Sequence, residues 1–279
     1  MRSKLLPLLL FALFIPAQAA RVPVVKGLAQ LDWGHNEDRA ALGVTAWYAW
    51  GMTSCGADYA HCTPMNRNWE ISAQTFCPPQ ELLGNEPTNP EPAGHPISPT
   101  VAVSATLAIA AMCPDTQLIA TNIHVNNGWG YADRQWLSDY LNAYKAKTGR
   151  EYGTLAHANG QYDLIGIHCY AGSASTCITR INAIFALTNY HGHFWLTEWH
   201  VMDFRYAGCQ PFKNMLNWIG LQPRIDRSYV WTNRMDFMKL VNDDGSLNCQ
   251  GTAYRNWLPP SQIKTLSFPI FAAGEQGYP

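Results

Sequence analysis

The stretch "ELLGNEP", residues 81–87, decides how this chain folds. A short apolar run gives way to glycine, then to Asn85-Glu86-Pro87, which is the pattern of a strand ending in a polar turn that proline stops from continuing. The residues that follow, "TNPEPAGHPISP", are too rich in proline for a helix or a central strand and form a loop. Similar β-rich runs recur on both sides. Upstream lie residues 26–31, "TAWYAW" at 45–50 and "YAHCTPM" at 59–65, with Pro64 marking the end of the last. Downstream lie "QLIATNIH" at 117–124, "LIGIHCY" at 164–170, "FWLTEW" at 194–199 and "RSYVWTN" at 227–233. Helical spacing of apolar residues fills the gaps at 100–112, 132–147, 177–188 and 210–219. Alternating strands and helices specify a parallel sheet, and this count specifies an α/β fold, a single-domain (β/α)8 TIM barrel.

The chain ends bound the domain. "MRSKLLPLLLFALFIPAQAA" places Arg2 and Lys4 before an apolar run and ends in small residues, so residues 1–19 read as a cleaved secretory signal peptide. The run is shorter than the roughly 20 residues of a membrane span, so a secreted, periplasmic or extracellular protein without stable membrane insertion is expected. Residues 20–250 form the barrel, and 251–279 form an extension of unassigned structure packed on it. A net charge of -1 with 14% charged residues leaves no electrostatic footprint for nucleic acid. Eleven tryptophans and thirteen tyrosines instead suit a surface that stacks sugar rings, once core packing has taken its share. Eight cysteines in an exported chain predict disulfides, with 55–62 and 169–177 as local pairs. No cysteine or histidine cluster has metal-ligand spacing, so neither metal nor cofactor is expected.

In a parallel barrel the chemistry sits where the strands end. Two acids lie there, Glu86 after strand four and Glu198 in "WLTEW" of strand seven. Glu198 has apolar neighbours on both sides, and burying such a carboxylate is costly unless it is paired. Two carboxyls facing each other across a barrel mouth are what glycoside hydrolysis needs, one to protonate the leaving oxygen and one to attack the anomeric carbon. Burial would raise the pKa of the acid, and hydrogen bonding would keep the nucleophile ionised. Asn85 supplies an amide for a sugar hydroxyl, and His124 closes strand five pointing toward the mouth.

"LLGNEP", "IGIHCY" and "WLTEW", preceded by "YAHCTPM" and followed by "SYVWTN" and "VNDDGSL", resemble in order and spacing the glycoside hydrolase family 128 group, the alkali-sensitive linkage protein-like glycosyl hydrolase catalytic core. The likeness spans residues 26–247. It implies a retaining barrel glycosidase of the large clan that carries its acid/base in Asn-Glu-Pro and its nucleophile at the end of strand seven. Glu86 would be the acid/base and Glu198 the nucleophile; His168 and Tyr170 would flank the nucleophile; Trp231 would be a sugar platform, with Trp50 and Trp199 as further substrate-binding aromatics. The implied substrate is β-1,3-glucan; internal cleavage and a monomeric state are expected of this chain. This chain departs from the group at Thr88, where aspartate is usual, at Cys169 between His168 and Tyr170, and at Ala49 between Tyr48 and Trp50.

Other residues carry simpler readings. Trp129 in "HVNNGWG" (124–130) is a loop aromatic that suits a subsite or packing equally. "HGH" at 191–193 lacks a third ligand and reads as a turn, as does Asp243-Asp244-Gly245. No Gly-x-Ser-x-Gly elbow is present. Two rivals to the glucanase reading are a non-catalytic carbohydrate-binding barrel and a glycosidase of another wall polymer such as mannan or galactan.

Overall fold

The computed structural model describes residues 24–29, 35, 37–90, 94–125, 130–157, 159–201, 209–231, 233–234 and 238–258. Eight parallel strands, β1 (Val25–Ala29), β2 (Ala46–Trp50), β3 (Cys62–Asn66), β4 (Gln80–Leu83), β5 (Gln117–His124), β6 (Leu164–Ala171), β7 (Phe194–Val201) and β8 (Ile225–Val230), close into a barrel in sequence order. β1 completes the ring by pairing with β8. Around it lie α1 (Glu37–Leu42), α2 (Pro99–Met112), α3 (Gly130–Thr148), α4 (Ala174–Phe185), α5 (Gln210–Leu221) and α6 (Cys249–Asn256). The barrel expected from the sequence is the barrel observed. The signal segment, Trp129 and the tail beyond Leu258 lie outside the described residues.

Strand alternation sorts side chains into two layers. Tyr48, Met65, Leu82, Ile119, Trp195 and Tyr229 fill the interior. Leu83, Leu118, Ile165, Phe194 and Val230 face outward and bury the apolar stripes of the helices. Helix starts are specified locally: Ser98 accepts the Val101 N–H at the start of α2, with Pro99 at the first helical position, and Asn248 accepts the Gln250 and Gly251 N–H groups at the start of α6. All eight cysteines pair, as Cys55–Cys62, Cys77–Cys113, Cys169–Cys177 and Cys209–Cys249. The two local pairs match expectation, and the other two staple the approach to β4 onto α2 and the start of α5 onto α6.

Some boundaries move for physical reasons. Pro64 lies inside β3 rather than ending it, opposite Ala49 of β2. β4 pairs with β3 only from Met65 onward, so at Pro64 the strand has one neighbour, and such a position tolerates proline. β7 runs on past Trp199 to Val201. Two short helices, α1 and α6, were not expected; with 6 and 8 residues they are too brief for a periodic signal. Residues 242–246 do make the expected turn, with Gly245 at φ 84° and Asp244 accepting the Ser246 N–H.

Candidate active site

The site begins with how the chain leaves β4. Gly84 adopts φ 79°, and a Cβ there would lie 2.0 Å from the Trp69 ring, so only glycine fits. Two residues later Glu86 itself takes φ 45°, an uncommon conformation for a non-glycine residue. Its N–H donates to the Asn122 carbonyl (3.2 Å), and its carbonyl accepts the Asn89 N–H (2.9 Å). The turn thereby aims the Glu86 side chain over the barrel mouth. The Asn85 carbonyl accepts the His95 N–H (3.1 Å), and Asn85 is buried beside it.

Glu198 comes from within β7. Register between β6 and β7 shifts so that His168 pairs with Glu198 while Ile167 pairs with Leu196, leaving Thr197 as an extra residue. That bulge reverses the strand's parity: Trp195 and Glu198 both face inward although three positions apart. The consequence corrects one expectation. Trp199 faces outward, fully buried, stacked on Phe212 of α5 with centroids 5.0 Å apart and donating to Ser228 Oγ (2.8 Å). It takes no part in the site.

The two glutamates meet. One carboxylate oxygen of each, together with His168 Nδ1, forms a cluster whose atoms all lie within 4.8 Å of one another. His168, fully buried on β6, stands between them, its Nδ1 2.9 Å from Glu86 Oε1 and 3.4 Å from Glu198 Oε2. Asn89 Nδ2 donates to Glu86 Oε2 (2.8 Å) and lies 3.0 Å from His124 Nδ1. The Tyr48 hydroxyl donates to Glu198 Oε1, and the Tyr170 hydroxyl to Glu198 Oε2. Although the trio could offer atoms to a cation, all four carboxylate oxygens already accept protein hydrogen bonds.

These contacts set the charges. Burial pushes the Glu86 carboxyl up, but the hydrogen bond and charge of His168, the charge of His124 and the Asn89 amide outweigh it and hold Glu86 below the ordinary value. Burial raises Glu198, the His168 cation opposes, the Glu86 charge adds to the rise, and the two phenols offset only part, so Glu198 ends above its ordinary value. His168 is pushed down by burial but carried above normal by the charge of Glu198 and its bond to Glu86. Burial and the neighbouring Glu198 raise both Tyr48 and Tyr170, which therefore remain protonated donors. The two carboxyls are therefore shifted in opposite directions, Glu86 down and Glu198 up. The sequence points to a raised pKa on the acid, whereas the upward shift falls on Glu198, and His168, which lies closer to Glu86, holds Glu86 down.

Of the remaining expected residues, Trp50 and Trp231 stack with centroids 5.3 Å apart, and Arg67 lies 5.4 Å over the Trp50 ring. The His124 ring meets Tyr170 edge-on at 5.5 Å, beside Glu86. Two contributors were missed. Tyr48 lies two residues before Trp50 on the same strand face, a relation that alternation could have exposed. Asn89 lies three residues after Glu86, within reach of it across a turn. His191 and His193 instead pair with Glu151 and Asp226 at the start of β7, far from the mouth. A cavity of about 700 Å³ also opens at that N-terminal end, between Gln80, Gln117, Trp195 and Arg227, and contains neither carboxylate.

A family model described as the glycosyl hydrolase catalytic core matches residues 29–254. The chain belongs to this family. Among solved structures, this glycosyl hydrolase core is similar to a family 128, subgroup II endo-β-1,3-glucanase from Sorangium cellulosum, at 21% identity and a TM-score of 0.64, over 84% of this chain and 98% of that one. It is also similar to a subgroup I endo-β-1,3-glucanase from Amycolatopsis mediterranei in complex with laminaritriose, at 17% identity and a TM-score of 0.63, over 83% and 98%. A third is a subgroup VI exo-β-1,3-glucanase from Aureobasidium namibiae, at 16% identity and a TM-score of 0.61, over 84% and 96%. No curated protein sequence matches this hydrolase.

Proposed function

We propose that this hydrolase cleaves β-1,3-glucan internally with retention of anomeric configuration, Glu198 acting as nucleophile and Glu86 as acid/base. The observation that carries the reading is that one oxygen of each carboxylate lies within 4.8 Å of the other, which leaves no room for a water held between the two groups. Retaining glycosidases hold theirs about 5–5.5 Å apart, whereas inverting ones leave about 6.5–9.5 Å for a water. The role of each follows from its surroundings. Glu198 is anchored by two phenols, which orient an oxygen for attack; Glu86 stands past the strand end on a turn pinned by backbone hydrogen bonds, where a glycosidic oxygen can reach it.

In the reacting complex Glu86 carries the proton and Glu198 is the anion. A sugar bound across the mouth favours this in two ways: it buries Glu86 further, and the positive charge growing at the anomeric carbon stabilises the Glu198 anion. Glu198 then bonds to that carbon as Glu86 protonates the departing oxygen, and in the second half Glu86 takes a proton from the water that releases the sugar. Trp50 and Trp231 supply stacking surface, and His124 and Asn85 supply polar contacts. The β-1,3-glucanases among the similar folds, one bound to laminaritriose, support this choice of polymer.

Four disulfides and the apolar segment 1–19 support export with cleavage after residue 19. We further assign residues 20–250 to the catalytic domain, 251–279 to an extension packed on it, and a monomeric state to the mature enzyme. The deciding experiment follows laminarin hydrolysis by NMR of the first-formed anomer. A β-anomer product, lost in Glu198→Ala, is expected; an α-anomer, or wild-type rates in Glu198→Ala, would refute the scheme.

A further inference from the structure

The bulge in β5 has no counterpart in the hydrolytic scheme, yet it holds two adjacent non-glycine residues in the left-handed region. Ala120 pairs with Ile165 and Ile123 with Ile167, so β5 spends three steps where β6 spends two. The intervening Thr121 and Asn122 adopt φ 76° and 38°. A β-branched residue in that region is a true outlier. Both are fully buried, and Thr121 Oγ1 and Asn122 Oδ1 have no hydrogen-bond partner. Strain and unmet polar atoms in a barrel core persist only where the surroundings enforce them, and they cluster at working sites.

Asn122 shows what the strain achieves. Its carbonyl accepts the Glu86 N–H at 3.2 Å, and its side-chain amide donates to the Gly84 carbonyl at 2.6 Å. One residue thus grips both ends of the Gly84–Asn85–Glu86 turn, whose first and last members also have positive φ. On its far side Asn122 is pressed by β6: a Cβ on Gly166 would lie 2.0 Å from Asn122 Oδ1. The same bulge shifts parity so that Ile123 faces the outer core while His124 reaches the mouth.

We propose that Asn122 is a positioning residue for Glu86, clamping the turn so that the acid/base carboxyl faces Glu198 and the glycosidic oxygen. This rests on the reading of Glu86 as acid/base. The clamp does not touch substrate; it acts through the backbone of the turn, and Gly166 is glycine to leave it room.

The test uses the dependence of acid catalysis on leaving group. Departure of a sugar needs a proton from Glu86, whereas departure of 2,4-dinitrophenolate does not. The variant is Asn122→Gly, which keeps left-handed backbone freedom and removes only the amide grip; Gly166→Ala displaces the same side chain from the opposite side. If Asn122→Gly does not fold, Asn122→Asp keeps size and backbone tolerance while losing the donor. The measured quantity is kcat/KM on a laminari-oligosaccharide and on a dinitrophenyl β-laminaribioside. Since a misplacement of about 1 Å costs on the order of 100-fold, the oligosaccharide rate is expected to fall about 10- to 100-fold, with the activated substrate within about threefold of wild type. Equal losses on both substrates, or no loss on the oligosaccharide, would overturn the clamp. Glu86→Gln run alongside separates the two ideas: if it lacks leaving-group dependence, the assignment of Glu86 fails whatever Asn122 does.

Discussion

Glu81 offers a stability test that is independent of catalysis. It lies on β4 with no exposed surface, on the outward side of the strand opposite Leu82. Oε2 accepts from Gln74 Nε2 at 2.8 Å, and Oε1 has no partner. Burial outweighs that bond and raises its pKa from 4.5 to about 7. The folded-state value lies above the unfolded one, so the folded protein holds the proton more tightly. Its full stability is therefore present below the unfolded pKa and is lost as pH rises through about 7. A rise of about 2.5 pKa units at 1.36 kcal/mol each corresponds to roughly 3 kcal/mol lost by pH 9. Glu81→Gln keeps the shape and cannot ionise. Urea unfolding of both proteins between pH 5 and 9 should show the stability gap moving in favour of Glu81→Gln by roughly 3 kcal/mol, or about 6–12 °C in Tm at this chain length. Activity on laminarin should change little, because the residue faces away from the mouth. Parallel pH curves for the two proteins would refute the reasoning.

Tyr170→Phe removes a charge-assisted donor from Glu198; at about 1.5–3 kcal/mol, kcat/KM should fall about 10- to 100-fold and the limb of its pH profile that follows Glu198 should move upward. A profile with neither limb moved would refute the phenol's stabilising the Glu198 anion. The profile itself should be bell-shaped, with both limbs belonging to the coupled pair, and Glu86→Gln should reduce it to a single limb. Trp231→Ala should raise KM for laminari-oligosaccharides by about tenfold with kcat nearly unchanged, a loss of about 1.4 kcal/mol of stacking; a fall in kcat alone would place Trp231 nearer the reacting carbon. Removing Cys209–Cys249, which spans 40 residues, should destabilise by about 4 kcal/mol, against about 2 for Cys55–Cys62, which spans 7, when denaturant midpoints of the serine variants are compared.

The barrel was legible in the sequence because its strands are buried on both faces and read as compact apolar runs between turn signals. Glu86 and Glu198 were legible because an acid at the end of such a run needs an explanation. His168 and Tyr170 followed from the family resemblance, and alternation places them on one face of β6. What remained hidden depends on contacts between strands. His168 lies 2.9 Å from Glu86 and 3.4 Å from Glu198, and its bond is to Glu86. No spacing along a chain encodes such a difference.

The bulges explain both the misplaced Trp199 and the unforeseen Asn122. A strand read from sequence keeps its parity from end to end, so a residue two or four positions from an inward one is taken to face inward. Starting from Trp195, that rule selects Thr197 and Trp199, and starting from Ile119 it selects Thr121 and Ile123. In each strand one extra residue breaks the rule, between Ile119 and His124 in β5 and at Thr197 in β7. Beyond the break, Glu198 and His124 face the mouth while Trp199 and Ile123 return to the outer core. Regular parity in the lower barrel fills the interior with Leu82, Ile119, Trp195 and Tyr229. Altered parity above it brings polar side chains to the mouth without interrupting the hydrophobic layer outside. A site built this way joins the turn after β4, which carries Glu86 and Asn89, to strand irregularity in β5 and β7, and its acids are held by backbone that a regular strand could not adopt.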